Sequence, residues 1–257
     1  MNFENGIPRM FSRLVLAGIN PVKLQNKTVA ILGVGGIGTV IAETLTRVGV
    51  GKLVLVDKDL VGPENLNRLG FSPSDIGLPK AEAFAKKLLE FNKTRKHLRL
   101  DVEWYHVNII NWPKLDMIIK SADIIVTSFD NLDARLEVNE RVVKNRKILV
   151  DCGTSLDGWS GRINVVIPGK TPCLACYYDP SMIYGERESW WTAPCGASLP
   201  TTMTIVATLA SDQVLRILLN LKGVYSRILV SLRNDIIIRP FHMKRRKNCE
   251  ICGEINE

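Results

Sequence analysis

Short apolar runs alternate along the first part of the chain with segments in which apolar residues recur every three or four positions. The runs predict strands at 28–32, 52–56, 102–106, 124–128 and 148–151. Helical patterns lie between them: one around Ile41, Leu45 and Val48, one over 80–91, a short one, and one over 132–144. Because strands and helices alternate, we expect a mostly parallel sheet with helices on both faces.

The part of the chain after Gly153 is less regular. Strands are predicted at 161–167, 228–232 and 236–240, with a helix over 201–221 between them. The predicted fold class is therefore α/β: a Rossmann-like, mostly parallel sheet with antiparallel strands at its C-terminal end. Since the sequence shows no internal repeat and no clear linker, we expect residues 1–257 to form one domain.

The loop after the first strand carries a glycine-rich motif. In "GVGGIG", Gly33, Gly35 and Gly38 fit G-x-G-x-x-G between a strand and a helix, where backbone N–H groups and the helix dipole favour phosphate. Asp57 follows at the end of the second strand, where a carboxylate can bind ribose hydroxyls. These residues alone indicate a nucleotide site, and an NAD-dependent dehydrogenase is the first hypothesis.

The next residues favour a triphosphate over a dinucleotide. Asp59, Asn65 and Arg68 lie in "DKDLVGPENLNRL", and Lys80 ends "GLPK". Two cations and an amide near a nucleotide can neutralise a polyphosphate leaving group. Asp130 in "SFDN" follows a predicted parallel strand and could hold Mg²⁺. The alternatives are that Arg68 and Lys80 are surface charges and that Asp130 is the N-cap of the next helix.

Composition and charge exclude some classes of protein. Hydrophobic residues make up 46% of the chain and charged residues 23%, which is ordinary for a soluble globular protein. The most apolar helix, near 204–221, contains Asp212 and Arg216, so we expect no membrane span and a cytoplasmic location. The net charge of +8 lies partly in basic runs at 93–99 and 244–247. No aromatic residues alternate with these runs, so we expect an acidic ligand or acidic protein partner and no nucleic acid.

The six cysteines divide by spacing. Cys173 and Cys176 form "CLAC", and Cys249 and Cys252 form "CEIC". Two C-x-x-C pairs supply the four thiolates of a tetrahedral structural zinc site, which would join the C-terminal tail to the middle of the chain. The alternative is a pair of disulfides or redox motifs, which a cytosolic protein disfavours. Cys152 ends a predicted buried strand, where a free cysteine is commonly inert packing.

The last cysteine, Cys195, lies among small residues in "APCGASLPTTM", just before the apolar helix. It could be a small buried hydrophobe, half of a disulfide, a metal ligand or a nucleophile. Its position alone does not decide between these roles.

Several segments together resemble one family. "VAILGVGGIG", "VGKLVLVDKDLV", "ENLNRL", "GLPK" and "SFDN" closely resemble the adenylation domain of ubiquitin-activating-type enzymes, including the bacterial relatives ThiF and MoeB. The resemblance continues through "SGRINVVIPGKTPCLAC" and "CGASLPTTMTIVATLASDQVLRILL" and covers about residues 8–253. Within the superfamily it is strongest to the compact eukaryotic enzymes that activate the ubiquitin-fold modifier.

The resemblance implies an ATP site. It places Gly35 and Gly36 against the nucleotide, Asp57 on the ribose and Asp130 on Mg²⁺. The residues that it assigns to the phosphates are Asn65, Arg68 and Lys80. Arg13, in "MFSRL", matches the family arginine that reaches the partner subunit's ATP across a homodimer interface.

The resemblance also implies roles for the cysteines. Cys195 matches the cysteine that takes the modifier as a thioester, and the zinc ligands are matched by Cys173, Cys176, Cys249 and Cys252. The C-x-x-C spacing at Cys249 is tighter than in the eukaryotic enzymes, and Cys152 matches no family role. The implied function is adenylation of a ubiquitin-like modifier at its C-terminal tail, transfer to Cys195, and delivery to a conjugating enzyme. A sulfur-carrier adenylating enzyme and an inactive zinc-stapled binding subunit are the alternatives.

Overall fold

The chain folds around one eight-stranded sheet, in a computed structural model that describes residues 7–93, 95, 98–178 and 196–253. The strands are β1 (Thr28–Leu32), β2 (Lys52–Asp57), β3 (Asp101–His106), β4 (Ile124–Thr127), β5 (Ile148–Thr154), β6 (Ser160–Val166), β7 (Arg227–Ser231) and β8 (Ile237–Phe241). Their order across the sheet is β3-β2-β1-β4-β5-β6-β7-β8. Strands β1 to β5 are parallel, and β6, β7 and β8 pair antiparallel. The predicted parallel core with C-terminal antiparallel strands is confirmed.

Six α-helices accompany the sheet in the described residues. They are α1 (Ser12–Leu16), α2 (Gly36–Val48), α3 (Lys80–Asn92), α4 (Leu115–Ser121), α5 (Leu132–Lys144) and α6 (Pro200–Leu218). Short 3₁₀ helices span Arg9–Phe11, Pro21–Leu24, Pro63–Asn65, Pro73–Asp75 and Leu174–Tyr177. Helix α2 ends where Gly49 takes a left-handed conformation, with φ of 108°. The N–H of Gly49 donates a hydrogen bond to the carbonyl of Leu45.

The observed bounds differ from the predicted ones where pairing or capping decides them. Strand β5 runs on to Thr154 because Thr154 pairs with Gly161 across the turn to β6. Helix α3 begins at Lys80 as predicted, with Pro79 as its N-cap, and extends one residue further than predicted, to Asn92. Helix α1 has five residues and buries none of them, so its sequence carries no periodic apolar signal.

Alternate residues of the central strands face two apolar layers. Val29 and Ile31 of β1 pack in a cluster with α2, α3 and α6, whereas Ala30 and Leu32 pack in a second cluster with α4 and α5. This period of two places helices on both faces of the sheet. None of the helices in the described ranges has the length and apolar content needed to cross a bilayer.

The order of the strands places one crevice at the middle of the sheet. The chain proceeds from β1 outward through β2 to β3, and then returns to β4 on the other side of β1. The loops after β1 and β4 therefore leave the carboxyl edge of the sheet in opposite directions. Open α/β sheets bind ligands at such a reversal.

Candidate active site

A cavity of about 450 Å³ opens at this reversal of strand order. The predicted nucleotide residues on its wall are Gly33, Gly35, Gly36, Asp57, Asp59, Asn65, Arg68, Lys80 and Asp130. Gly38 does not line the cavity. A Cβ on Gly38 would lie 2.0 Å from the carbonyl oxygen of Gly33, so this glycine permits the tight turn beneath the loop. The fold thus brings together residues that the chain separates by almost one hundred positions.

The glycine-rich loop presents backbone to the cavity. Gly33 has a φ of 96°, and its carbonyl accepts a hydrogen bond of 2.8 Å from the Ser128 hydroxyl. A Cβ built on Gly35 would meet none of the described atoms within 4 Å, whereas one on Gly36 would lie 2.8 Å from Arg68 Cδ. The loop leads into the 13-residue helix α2. A phosphate can therefore approach the helix N-terminus, where backbone N–H groups and the helix dipole favour an anion.

Asp57 lies beside this loop at the end of β2. Its Oδ2 accepts a hydrogen bond of 2.6 Å from the Val34 amide, and its Oδ1 accepts one of 2.9 Å from the Asp59 amide. Burial raises the pKa of the Asp57 carboxyl, although both hydrogen bonds oppose that effect. Each oxygen keeps a lone pair, which suits the two hydroxyls of a ribose.

The predicted phosphate contacts lie on the same side of the cavity. Lys80 Nζ is 3.0 Å from Asp59 Oδ2, and only 12% of the Lys80 side chain is exposed, so Lys80 is not a solvated surface charge. The side-chain oxygen of Asn65 accepts a hydrogen bond of 2.9 Å from the Gly62 N–H, which leaves its NH₂ group to donate. Arg68 is half-buried on the cavity wall. Two cations and an amide nitrogen therefore border the same space.

Asp130 lies on the cavity wall just after β4, with its side chain exposed. The N-cap of α5 is the neighbouring Asn131, whose side chain accepts from the Ala134 amide over 3.1 Å. The alternative that Asp130 caps this helix is therefore wrong. A carboxylate oxygen is the hard donor type that Mg²⁺ takes, and this one lies on the cavity wall.

A buried polar network under the cavity was not predicted. Arg135 of α5 forms an ion pair with Asp151 of β5 and also donates to the carbonyls of Phe129 and Cys152. Asp151 accepts further hydrogen bonds from Thr127 and from Asn164, and it is fully buried. Removing one partner of such a pair costs about 3–5 kcal/mol. The only sequence signal was a carboxylate at the end of an apolar strand, the same position that Asp57 occupies.

Arg162 is a second cavity residue that the sequence did not indicate. It lies on β6 opposite Gly153 and lines the cavity at the end far from the glycine-rich loop. Burial works to lower the pKa of Arg162, but Tyr178 and Asp151 together raise it, so the guanidinium stays charged.

Arg13 lies away from this cavity. It is exposed on α1 and is not among the residues that line the cavity. Phe11, two residues earlier, packs 5.8 Å from the guanidinium of Arg95, which donates to the carbonyl of Val50 just before β2. Helix α1 is thus near the amino ends of the strands, whereas the cavity is at their carboxyl ends. The described geometry gives Arg13 no contact with the nucleotide site of its own chain.

Four cysteines meet on the α5 side of the sheet. Their sulfur atoms all lie within 4.8 Å of one another, in the group Cys173, Cys176, Cys249 and Cys252. The Cys173–Cys249 and Cys176–Cys252 separations are 3.6 and 3.4 Å. A disulfide needs about 2.05 Å, and these four thiols are free, so the disulfide alternative is wrong. Zinc–sulfur bonds of about 2.3 Å in a tetrahedron place the sulfurs about 3.8 Å apart. The site fits a structural zinc ion.

The cysteine cluster joins the tail to the body of the protein as expected. The amide of Leu174, between the first two cysteines, donates to Asn139 of α5 over 2.8 Å. From the tail, Arg246 donates to the carbonyl of Tyr178 over 3.1 Å. The amide of Gly253, just after the last cysteine, donates to the Cys249 carbonyl over 2.7 Å, so the tail folds tightly around the cluster.

The two remaining cysteines differ in position. Cys195 lies outside the described residues, but Gly196, its neighbour in sequence, lines the cavity. Cys152 is fully buried, its thiol lies 3.4 Å from the carbonyl oxygen of Thr127, and burial raises its pKa. A protonated and enclosed thiol is a poor nucleophile, in agreement with the prediction of inert packing.

The sequence has relatives among known proteins. The chain is 36% identical to ubiquitin-like modifier-activating enzyme 5 of Caenorhabditis elegans over 210 residues, which cover 77% of this chain and 49% of that protein. It is 37% identical to the enzyme of the same name from Drosophila virilis over 243 residues, covering 88% of this chain and 60% of that protein. The chain thus spans about half to three fifths of these relatives.

Solved structures show the same architecture. The structure of Escherichia coli MccB with MccA-N7isoASN superposes with a TM-score of 0.81 at 26% identity, covering 99% of this chain and 76% of that one. The structure of MccB with ATP gives a TM-score of 0.78 at 24% identity, covering 97% and 75%. The ThiF family model matches residues 13–251. That range contains the glycine-rich loop, the cavity and all four clustered cysteines, and the chain belongs to the ThiF family.

Proposed function

We propose that this protein activates a ubiquitin-like modifier by ATP-dependent adenylation, followed by transfer of the modifier to Cys195 as a thioester. The observation that carries the proposal is the cavity, where Asp57, Arg68, Lys80 and Asp130 converge from separate segments on the glycine-rich loop. Its relatives named ubiquitin-like modifier-activating enzyme 5 support the choice of substrate class. We propose one adenylation domain over residues 1–257, with the zinc site and the reactive cysteine built into it.

In the first step, a carboxylate oxygen of the modifier's C-terminus forms a bond to the α-phosphorus of ATP. The bond to the β-phosphate breaks, and pyrophosphate leaves with the electron pair. Asp57 holds the ribose, and the amides of the loop around Gly35 hold phosphate oxygens. Asn65, Arg68 and Lys80 offset the charge of the leaving pyrophosphate. Asp130 is the residue that would hold Mg²⁺, which supplies further neutralisation of that charge.

In the second step, the thiolate of Cys195 attacks the carbonyl carbon of the acyl adenylate and AMP leaves. The support is a position in sequence: Cys195 precedes Gly196, Ala197 and Ser198, all of which line the cavity. Cys152 is enclosed and does not compete for this role.

We further propose a homodimer in which Arg13 completes the ATP site of the partner subunit, since α1 lies away from the cavity of its own chain. A conjugating enzyme would then receive the modifier. The four clustered cysteines are proposed to hold zinc. A cytoplasmic location is part of the proposal, because thiols stay reduced there.

A second candidate function is adenylation of a different carboxyl terminus without a thioester. The likeness to MccB, solved with ATP and with MccA, favours this alternative. A sulfur-carrier adenylating enzyme of the ThiF and MoeB kind falls in the same class, and in it Cys195 would be dispensable. The dehydrogenase hypothesis leaves Arg68, Lys80 and Cys195 without a role.

The test combines two measurements on the whole protein. Purified protein is incubated with ATP, Mg²⁺ and each of a panel of ubiquitin-like proteins. The proposal predicts that one of them stimulates ATP–pyrophosphate exchange and forms an adduct that dithiothreitol removes. Exchange without an adduct would favour the second candidate function. If no panel member gives either exchange or an adduct, both candidate functions are contradicted.

A further inference from the structure

The lining of the cavity extends from the glycine-rich loop to β6, where it includes a further positive group, Arg162. The glycine-rich loop follows β1, while Arg162 lies on β6, three strands away in the sheet. Neighbouring strands are about 4.8 Å apart, so this end lies about 14 Å from the glycine-rich loop. Gly153 and Thr154 of β5 and Gly196 line the space between.

The two arginines at this end of the cavity differ in what they can bind. Arg135 uses its terminal nitrogens on Asp151 and on the carbonyls of Phe129 and Cys152. The guanidinium of Arg162 makes one hydrogen bond to another described residue, a donation of 3.3 Å to the Tyr178 hydroxyl. Arg162 therefore has N–H groups left for a ligand, while Arg135 has its terminal nitrogens occupied.

Arg162 is held in place from the tail that carries the last two cysteines. Tyr178 contacts Arg162 through its hydroxyl, and its own carbonyl accepts from Arg246 over 3.1 Å. The carbonyl of Arg246 in turn accepts from the Cys249 amide over 3.2 Å. A continuous set of hydrogen bonds thus runs from the cysteine cluster to the far end of the cavity.

We propose that Arg162 receives the C-terminal carboxylate of the protein being activated, and that Tyr178 and Arg246 position Arg162 for this task. This inference rests on the proposed function and adds a residue to it. A carboxylate approaching a triphosphate is repelled, and a forked guanidinium reduces that repulsion while it orients the group.

Arg162 would contact the oxygen that does not attack phosphorus. That oxygen becomes the carbonyl oxygen of the acyl adenylate, and it carries the negative charge when the thiolate adds to the carbonyl carbon. Donors fixed at that point stabilise both steps. The role therefore concerns the acyl part of the intermediate and not the nucleotide.

Two stable ligands distinguish binding of the acyl group from binding of the nucleotide. The first is an ATP analogue with a methylene group between the α- and β-phosphates. The second is glycylglycine joined to adenosine through a sulfamate, which mimics the acyl adenylate. We expect R162Q to weaken binding of the sulfamate at least tenfold, and to change the Kd of the ATP analogue by less than about twofold. R162K keeps the positive charge but loses the forked pair of N–H donors, so its affinity for the sulfamate should lie between those of R162Q and wild type.

The positioning residues are tested with the same ligands. Y178F and R246Q should weaken binding of the sulfamate by a smaller factor than R162Q does. Their zinc content and melting temperature should stay close to wild type. R245Q is the matched control, because Arg245 lies on the same tail but donates to the Cys252 carbonyl. It should leave both affinities unchanged.

The inference is overturned if R162Q weakens both ligands equally or weakens neither. It is also overturned for the positioning residues if R245Q reproduces the effect of R246Q. Failure of the proposed function has a different result: wild-type protein would bind neither ligand, or would bind the ATP analogue and not the acyl sulfamate.

Discussion

The main-chain N–H of Val34 donates to Asp57 Oδ2 over 2.6 Å and joins the glycine-rich loop after β1 to the carboxylate that ends β2. A second donation from Asp59 holds the other carboxylate oxygen. The phosphate-binding loop and the ribose-binding carboxylate are thus fixed relative to each other before a nucleotide arrives. Such preorganisation reduces the ordering cost of binding.

The first prediction concerns the charge of Asp57. D57N places an amide NH₂ against donor N–H groups and should weaken ATP binding about tenfold to a hundredfold at pH 7. Because burial raises the pKa of Asp57, wild type becomes protonated at a higher pH than an ordinary aspartate. The ratio of the D57N and wild-type Kd values should therefore fall toward one as the pH decreases from neutral. Calorimetric titration at several pH values measures it, and a ratio independent of pH would contradict the prediction.

The second prediction compares two lysines of α3. Lys80 pairs with Asp59 in the cavity, whereas Lys87 pairs with Asp75 outside it, at 2.5 Å. K80M should slow ATP–pyrophosphate exchange at least tenfold and shift stability by about 1 kcal/mol or less, since it removes a partly exposed ion pair. K87M is the matched control and should retain exchange. Equal losses in the two variants would show that Lys80 acts through the fold alone.

The third prediction concerns the metal. The purified, untagged protein should contain one zinc ion per chain, and C176S should lose most of it and melt at a lower temperature. C152A keeps all four clustered thiols and should retain zinc, with a packing cost of about 1 kcal/mol. Elemental analysis with thermal unfolding measures both. Wild-type protein without zinc would contradict the assignment.

The sequence predicted the nucleotide end of the cavity because its signals are local. The run 28–32, the glycines after it and Asp57 each follow from residues close together in the chain, and β1 was found with its observed bounds (Thr28–Leu32). The C-x-x-C spacing likewise predicted the cysteine cluster, because two short motifs can supply four ligands in one place only if the fold joins them.

The other end of the cavity could not be predicted in this way. Arg135 and Asp151 meet where α5 packs on β5, and Arg162 reaches the cavity through the antiparallel turn from β5 to β6. That turn reverses the parallel order of the preceding strands, and no local pattern specifies which side chains it opposes. The role of Cys195 rests on resemblance, and its position lies outside the described residues.

The fourth prediction concerns Arg13. If it completes the site of the partner subunit, R13A should slow adenylation without lowering the melting temperature. Mixing R13A with D130A protein should restore activity to about a quarter of wild type, since half of randomly exchanged dimers are mixed and each has one intact site of two. Exchange of subunits is checked with two different tags. No recovery after proven exchange would show that Arg13 does not act across a dimer.

The most direct test of the account separates its two chemical steps in the variant C195A. Adenylation needs the cavity and no thiol, so C195A should retain modifier-dependent ATP–pyrophosphate exchange and form no adduct that dithiothreitol removes. C152A should keep both activities because its thiol is enclosed. An adduct that persists in C195A and disappears in C152A would contradict the assignment of the nucleophile. Adduct formation that neither variant abolishes would contradict the thioester step itself.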